Sequence, residues 1–440
     1  MKGRRFVYAA LIGLTASTLV LTPKAAVATT LSPKVALDWN LNAVNAVRAA
    51  RTMDGVPSGS PARPIYQLEG LVYMSYVQAA VYDAVMKISH RYELYHHFKS
   101  AAGNASLEAA VVSASYNTLV FYLGDPTGAL ATQYQSSIAA LPPGKRTARG
   151  IALGKAAALD IEALRNGDGR NAPVSDACAT PTSPPTPGAY LCTPASVQTL
   201  QTPWLASMRP FLLRSPSAFR APAPPALNSA TYVADFNETR AYGAANSSVR
   251  TADQRATAWY WNANVINQFN QSLRDAAAQH NLDLVDTVRL LAMGDMVSAD
   301  AGIACWDSKY HYLFWRPITA IRADGNAADA SWNPLVTTPN HPEYPSAHGC
   351  VTSAFGEAVA AALGTRNFSL AIPGAQNGAS TLTTSRTYAT VEDVMTELVN
   401  ARVWIGFHFR NSVIVGEALG TTAADWALAR YFQPTDEEDD

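Results

Sequence analysis

Between Lys309 and Ser412 the sequence gathers side chains able to bind charge and to move protons. Four of the eight histidines (His311, His341, His348 and His408) fall there, and so do three basic residues that lack local partners, Lys309, Arg316 and Arg402. None of these three has an acidic residue three or four positions away. No acid occurs between Lys309 and Arg322, nor between Glu397 and Glu417. A buried cation without compensation costs several kcal/mol, so cations converging on one spot require an anion there. A tetrahedral oxyanion would serve, each charge-assisted contact contributing about 1.5–3 kcal/mol. For any one of these cations, the plainer alternative is a carboxylate distant in sequence.

Lys309 and Arg316 share a face if a single helix carries both. The run Tyr344-Pro345-Ser346-Ala347-His348-Gly349 precedes an apolar stretch from Val351 to Leu363. Pro and Ser in that place are helix-start signals, and a helix N-terminus offers free N–H groups to an anion. Alternatively, Ser346 is a simple cap and His348 is exposed. Arg402-Val403-Trp404-Ile405-Gly406-Phe407-His408 supplies the third element. A His among such neighbours is more often a core residue. On a straight helix His408 would stand about 120° around from Arg402, so a bend at Gly406 or the reach of Arg402 must close that gap.

Together, Lys309-x6-Arg316-Pro317, Pro345-Ser346-x-His348 and Arg402-x5-His408 resemble the three-part signature of the type 2 phosphatidic acid phosphatase and vanadium haloperoxidase superfamily. Val77-Gln78-Ala79-Ala80-Val81-Tyr82-Asp83-Ala84, Arg209-Pro210-Phe211 and Lys309-Tyr310-His311-Tyr312 further resemble its bacterial haloperoxidase-related branch. The resemblance implies an oxyanion, vanadate or phosphate, held by Lys309, Arg316, Arg402, Ser346 and the backbone of Ala347. In a haloperoxidase His408 would be the axial ligand of vanadium and His348 would move the proton when hydrogen peroxide binds, with halide oxidised to hypohalous acid. In an acid phosphatase His408 would attack a phosphomonoester to form a phospho-histidine, and His348 would protonate the leaving group.

Two positions depart from the pattern. Ala347 stands where the family usually has Gly, so a backbone angle reserved for Gly is not available. Ser412 stands where the phosphatase signature has an Asp that orients the final His, which weakens the phospho-histidine alternative. His341, five residues before Ser346, occupies the place of a second His in bromide-oxidising members. It is a candidate halide-side residue, although a solvent-facing loop His is the simpler explanation. The leading expectation is a vanadate-dependent haloperoxidase, with the acid phosphatase second. A non-catalytic phosphate-binding scaffold comes third, since it leaves both histidines without a role.

The elements that must position these residues read as helices. The predicted fold class is all-α: two packed helical bundles sharing one site, residues 29–165 and 228–432, joined by a Pro-rich wrapping or lid segment over 166–227. Predicted helices cover one long amphipathic stretch from Leu68 to Ile88, then 106–123, 126–140 and 144–165. A second set covers 228–244, 251–279, 283–315, 347–363, 388–408 and 412–431. Of 440 residues, 48% are hydrophobic and 15% charged, ample for a large core. A net charge of −1 gives no global field to recruit nucleic acid or an anionic membrane. Residues 1–28 read as a signal peptide cleaved near Ala28, implying export and no stable membrane insertion. A disulfide between Cys178 and Cys192 suits that compartment. Cys305 and Cys350 are left as a second disulfide or as small core residues. The acidic residues within 433–440 read as a disordered tail.

Overall fold

A computed structural model of the chain describes residues 31–53, 61–174, 185–193, 200–324, 330–376 and 382–435. The signal peptide, Cys178 and the acidic run from Asp436 lie outside the described residues. Thirteen α-helices follow one another among them: α1 (Lys34–Ala49), α2 (Gln67–Ser89), α3 (Leu107–Leu123), α4 (Ala129–Ala139), α5 (Lys145–Leu164), α6 (Ala230–Tyr242), α7 (Ala252–Tyr260), α8 (Val265–Gln279), α9 (Leu284–Tyr312), α10 (Pro317–Ala323), α11 (Ala347–Leu363), α12 (Val391–Trp404) and α13 (Arg410–Leu428). Two short antiparallel ladders interrupt them, β1 (Arg51–Thr52) with β2 (Arg63–Pro64) and β3 (Leu370–Gly374) with β4 (Thr384–Tyr388). From Ser32 onward the chain clusters as one compact unit.

α9 and α2 form the centre. Every residue from Leu290 to Trp306 is buried, and so is every residue from Leu68 to Met86. The expected apolar face on α2 is therefore an apolar surface on all sides, the pattern of an interior helix. Among its buried polar groups, Asp83 accepts the Tyr95 and His96 N–H groups at 2.7 and 3.1 Å. α9 packs on α2, α11 and α13, and α11 lies along α13. A Cβ added to Gly349 would stand 2.6 Å from Val413 O, so this residue sets how closely α11 and α13 approach.

Three helix boundaries and two further elements differ from the sequence expectation. α1 was not predicted, nor was the β3–β4 hairpin. The stretch expected as one helix over 251–279 breaks at Trp261–Asn264, where Asn264 caps α8 by accepting from the Ile266 N–H. α9 stops at Tyr312 because Leu313 is left-handed (φ 46°) and Arg316 must be extended before Pro317 (ψ 154°). Lys309 and Arg316 thus do not share a helix. α12 likewise ends at Trp404, since Gly406 takes φ +83° and an added Cβ would meet Gly243 O at 2.6 Å.

The described parts of the Pro-rich segment run along α9 and the loop before α11. Phe211, Leu212 and Leu213 direct their N–H groups to Asp300 on α9 at 2.6–2.8 Å. Tyr190 donates its hydroxyl to Asn340 at 2.7 Å. No described helix is long and apolar enough to cross a membrane.

Candidate oxyanion site

Three chain reversals converge at one end of α9. Lys309, in its last turn, is fully buried and donates to the carbonyls of Pro342 (2.8 Å) and Glu343 (2.9 Å). Arg316, at the start of α10, donates from Nε to His341 O at 2.9 Å. One of its terminal nitrogens reaches Phe407 O at 3.0 Å and His408 Nε2 at 3.3 Å, and the other reaches His341 Nδ1 at 3.0 Å. Arg402, in the last turn of α12, donates to Trp261 O at 3.2 Å and lies over the Phe407 ring, while its Nε has no partner. Carbonyl oxygens satisfy donors without cancelling charge. Among the described residues, none of these three cations forms an ion pair.

Burial lowers the ammonium pKa of Lys309 to about 8. It also disfavours the charge of Arg316, against the pull of Glu343, and that of Arg402, where Arg316 adds to the effect. A guanidinium does not give up its proton, so that electrostatic deficit stays until an anion relieves it.

Ser346 precedes the first residue of α11 but does not cap it, and its buried Oγ has no partner. The first N–H groups of α11 add further free donors beside it. Ala347 needs no Gly-only angle, for it sits in the first turn with ordinary helical φ. His348 is buried rather than exposed, and its Nε2 is also unpartnered. Burial, then Arg402 and Lys309, hold its pKa well below the usual range. The simple-cap alternative for Ser346 and His348 does not describe this arrangement.

His408 follows the turn at Gly406 that replaces the end of the predicted helix. Its Nδ1 stands 2.9 Å from Glu343 Oε1, which also accepts the Phe409 N–H at 3.1 Å. A carboxylate only accepts and a guanidinium only donates, so Nδ1 carries the proton and Nε2 presents its lone pair. Burial, Arg316 and Lys309 keep the ring neutral. Glu343 is the functional residue that sequence reasoning missed. It supplies the orienting acceptor whose absence was inferred from Ser412, and that argument against a nucleophilic His408 falls. Ser412 instead donates a long bond, 3.4 Å, to Glu343 O. Burial pushes the Glu343 carboxyl up to about 7 against the pull of Lys309 and Arg316.

His341 is buried, packed on Trp306 with ring centres 4.8 Å apart, and so is not a solvent-facing loop residue. His311 is exposed and takes no part. Cys305 and Cys350 are free, buried thiols, whereas Cys192 is disulfide-bonded. A cavity of about 540 Å³ opens onto His341, Ala347, His348, Arg402 and His408.

The chain is similar to known proteins in part of its sequence and in its fold. A family model described as the VCPO second helical-bundle domain matches residues 289–437, which include every site residue named above. Vanadium chloroperoxidase of Curvularia inaequalis is 32% identical over 26% of this chain, which spans only 23% of that relative's length. The fold matches a bacterial vanadium-dependent iodoperoxidase with a TM-score of 0.74 at 20% identity, covering 91% of this chain and 98% of the other. A holo-type bacterial vanadium-dependent chloroperoxidase matches with a TM-score of 0.66 at 20% identity, covering 88% and 96%. Residues 289–437 thus match the VCPO second helical-bundle domain, and the described chain has the fold of these bacterial haloperoxidase structures.

Proposed function

We propose that this protein is a vanadate-dependent haloperoxidase, exported, that oxidises a halide with hydrogen peroxide. The observation that carries the reading is the set of buried, unpartnered groups, Ser346 Oγ, His348 Nε2 and Arg402 Nε, beside three cations that outnumber the one nearby carboxyl, Glu343. These fit a tetrahedral oxyanion. Lys309, Arg316 and Arg402 would hold its oxygens, with the Ser346 hydroxyl and the N–H of Ala347. Vanadate, when bound, supplies a Lewis acid that takes up peroxide and oxidises halide to hypohalous acid. His408, kept neutral with Nδ1–H on Glu343, would hold the group through Nε2. His348 holds or releases a proton at Nε2. His341, fixed between Arg316 and Trp306, is the halide-side candidate. The choice of vanadate rests on the relatives, and phosphate presents the same oxygens.

One observation favours a second reading, an acid phosphatase: the Glu343–His408 pair orients Nε2 as it would a nucleophile. Purified protein, with and without orthovanadate, separates the two. The expected result is peroxide-dependent oxidation of bromide or iodide only after vanadate is added. Hydrolysis of a phosphomonoester without halide oxidation at any pH would replace the first reading by the second.

A further inference from the structure

The cavity of about 540 Å³ falls within the roughly 300–1,000 Å³ typical of organic-ligand pockets, and an oxyanion of five heavy atoms fills a small part of it. Its outer wall comes from the N-terminal part of the chain. Arg48 stands in the last turn of α1, half-buried, and Arg51 lies exposed in β1, opposite Pro64 in the β1–β2 ladder. Tyr66 caps the start of α2 beside them, one face of its ring covered by Arg63 at 4.1 Å, and Trp306 of α9 lines the same cavity. Among the described residues, no Asp or Glu lines this cavity. The C-terminal dipole of α1 accounts for one cation at its end. It does not account for a second in the following strand, nor for aromatic walls free of acids.

We propose that this outer chamber binds an aromatic carboxylate, its carboxylate paired with Arg48 and Arg51 and its ring against Tyr66 and Trp306, and presents it to the oxidant made within. A guanidinium pair matches a carboxylate in charge and in hydrogen-bond geometry. The chemistry downstream rests on the haloperoxidase reading. Hypohalous acid delivers halogen to a ring carbon, a carbon–halogen bond forms and a C–H bond breaks. The departing hydroxide takes the released proton as water.

Binding is measured by calorimetry without vanadate, with orthophosphate present to fill the inner site. The probes are 4-hydroxybenzoate and its neutral counterpart 4-hydroxybenzamide. The benzoate is expected to bind one per chain, at least tenfold tighter than the amide, and to lose tenfold or more in affinity in the Arg48→Ala/Arg51→Ala double variant. That variant should keep wild-type oxidation of iodide, which shows that the inner site is intact. Equal benzoate affinity in wild type and double variant, or equal affinity for the amide, would overturn the proposal. Absence of iodide oxidation in the wild type would instead overturn the reading of the inner site, because the binding measurement does not depend on it.

Discussion

Around Arg165 every buried guanidinium nitrogen has an acceptor, whereas around Arg402 the cations outnumber the acids and several donors have none. Arg165 donates to Asp168 at 3.0 Å, to Pro210 O at 2.7 Å and to Arg209 O. Asp168 also accepts the Tyr76 hydroxyl at 2.6 Å. Asp300 nearby is satisfied by three backbone N–H groups. The neighbouring acids and tyrosines raise the Arg165 pKa despite burial, while burial lowers those of Lys309, Arg316 and Arg402. The first region is a finished ionic network that ties α5, the Pro-rich segment and α9 together. In the second, buried donors and charge are left that no group among the described residues answers. Buried charge alone does not mark a function; buried charge left uncompensated does.

The comparison can be broken by mutation. Arg165→Ala should cost about 3–5 kcal/mol of stability, because it strands Asp168 and two carbonyls in the interior. Arg402→Met should cost far less in anion-free protein, as urea titration of both variants will show. An equal loss in both variants would remove the distinction. The order should reverse for ligand affinity. Removing any one of Lys309, Arg316 or Arg402 should weaken vanadate and phosphate alike by about 1.5–3 kcal/mol, ten- to a hundredfold. Arg165→Met, in protein that still folds, should leave both affinities unchanged.

The smallest expected effect sharpens the same contrast through pH. Lys309 is lowered from 10.5 to about 8, so between those values the unfolded chain binds the extra proton. Its contribution to stability is therefore present above the unfolded value and is lost as pH falls through about 8. Glu343 is raised from 4.5 to about 7, so its contribution is full below 4.5 and is lost as pH rises through 7. Saturating phosphate should flatten the alkaline slope by holding Lys309 charged. A slope above pH 8 that phosphate leaves unchanged would mean that Lys309 does not face the anion.

Much of this was legible in the sequence, for different physical reasons. Long helices such as α2, α9 and α11 announce themselves because apolar periodicity over many residues reflects burial. The pairing of Ser346 and His348 with the start of α11 follows from start signals that act locally. Where the chain turns, local patterns mislead: α9 and α12 were drawn too long because Leu313 and Gly406 set backbone angles that periodicity does not record. Glu343 carries no local signal, for it belongs to none of the three motifs that hold the cations. Its partner His408 is 65 residues away, and only the fold brings them together. Arg48 and Arg51 were missed for the same reason, since α1 was not foreseen.

The central claim is that His408 Nε2 meets the bound anion directly while the cations hold its oxygens. Calorimetric titration of orthovanadate and of orthophosphate into wild type and His408→Ala tests it. The account predicts that vanadate affinity falls far more than phosphate affinity in the variant, because only vanadium takes a directional bond from the ring nitrogen. Vanadate affinity unchanged in His408→Ala would contradict it and leave His408 a core histidine held by Glu343.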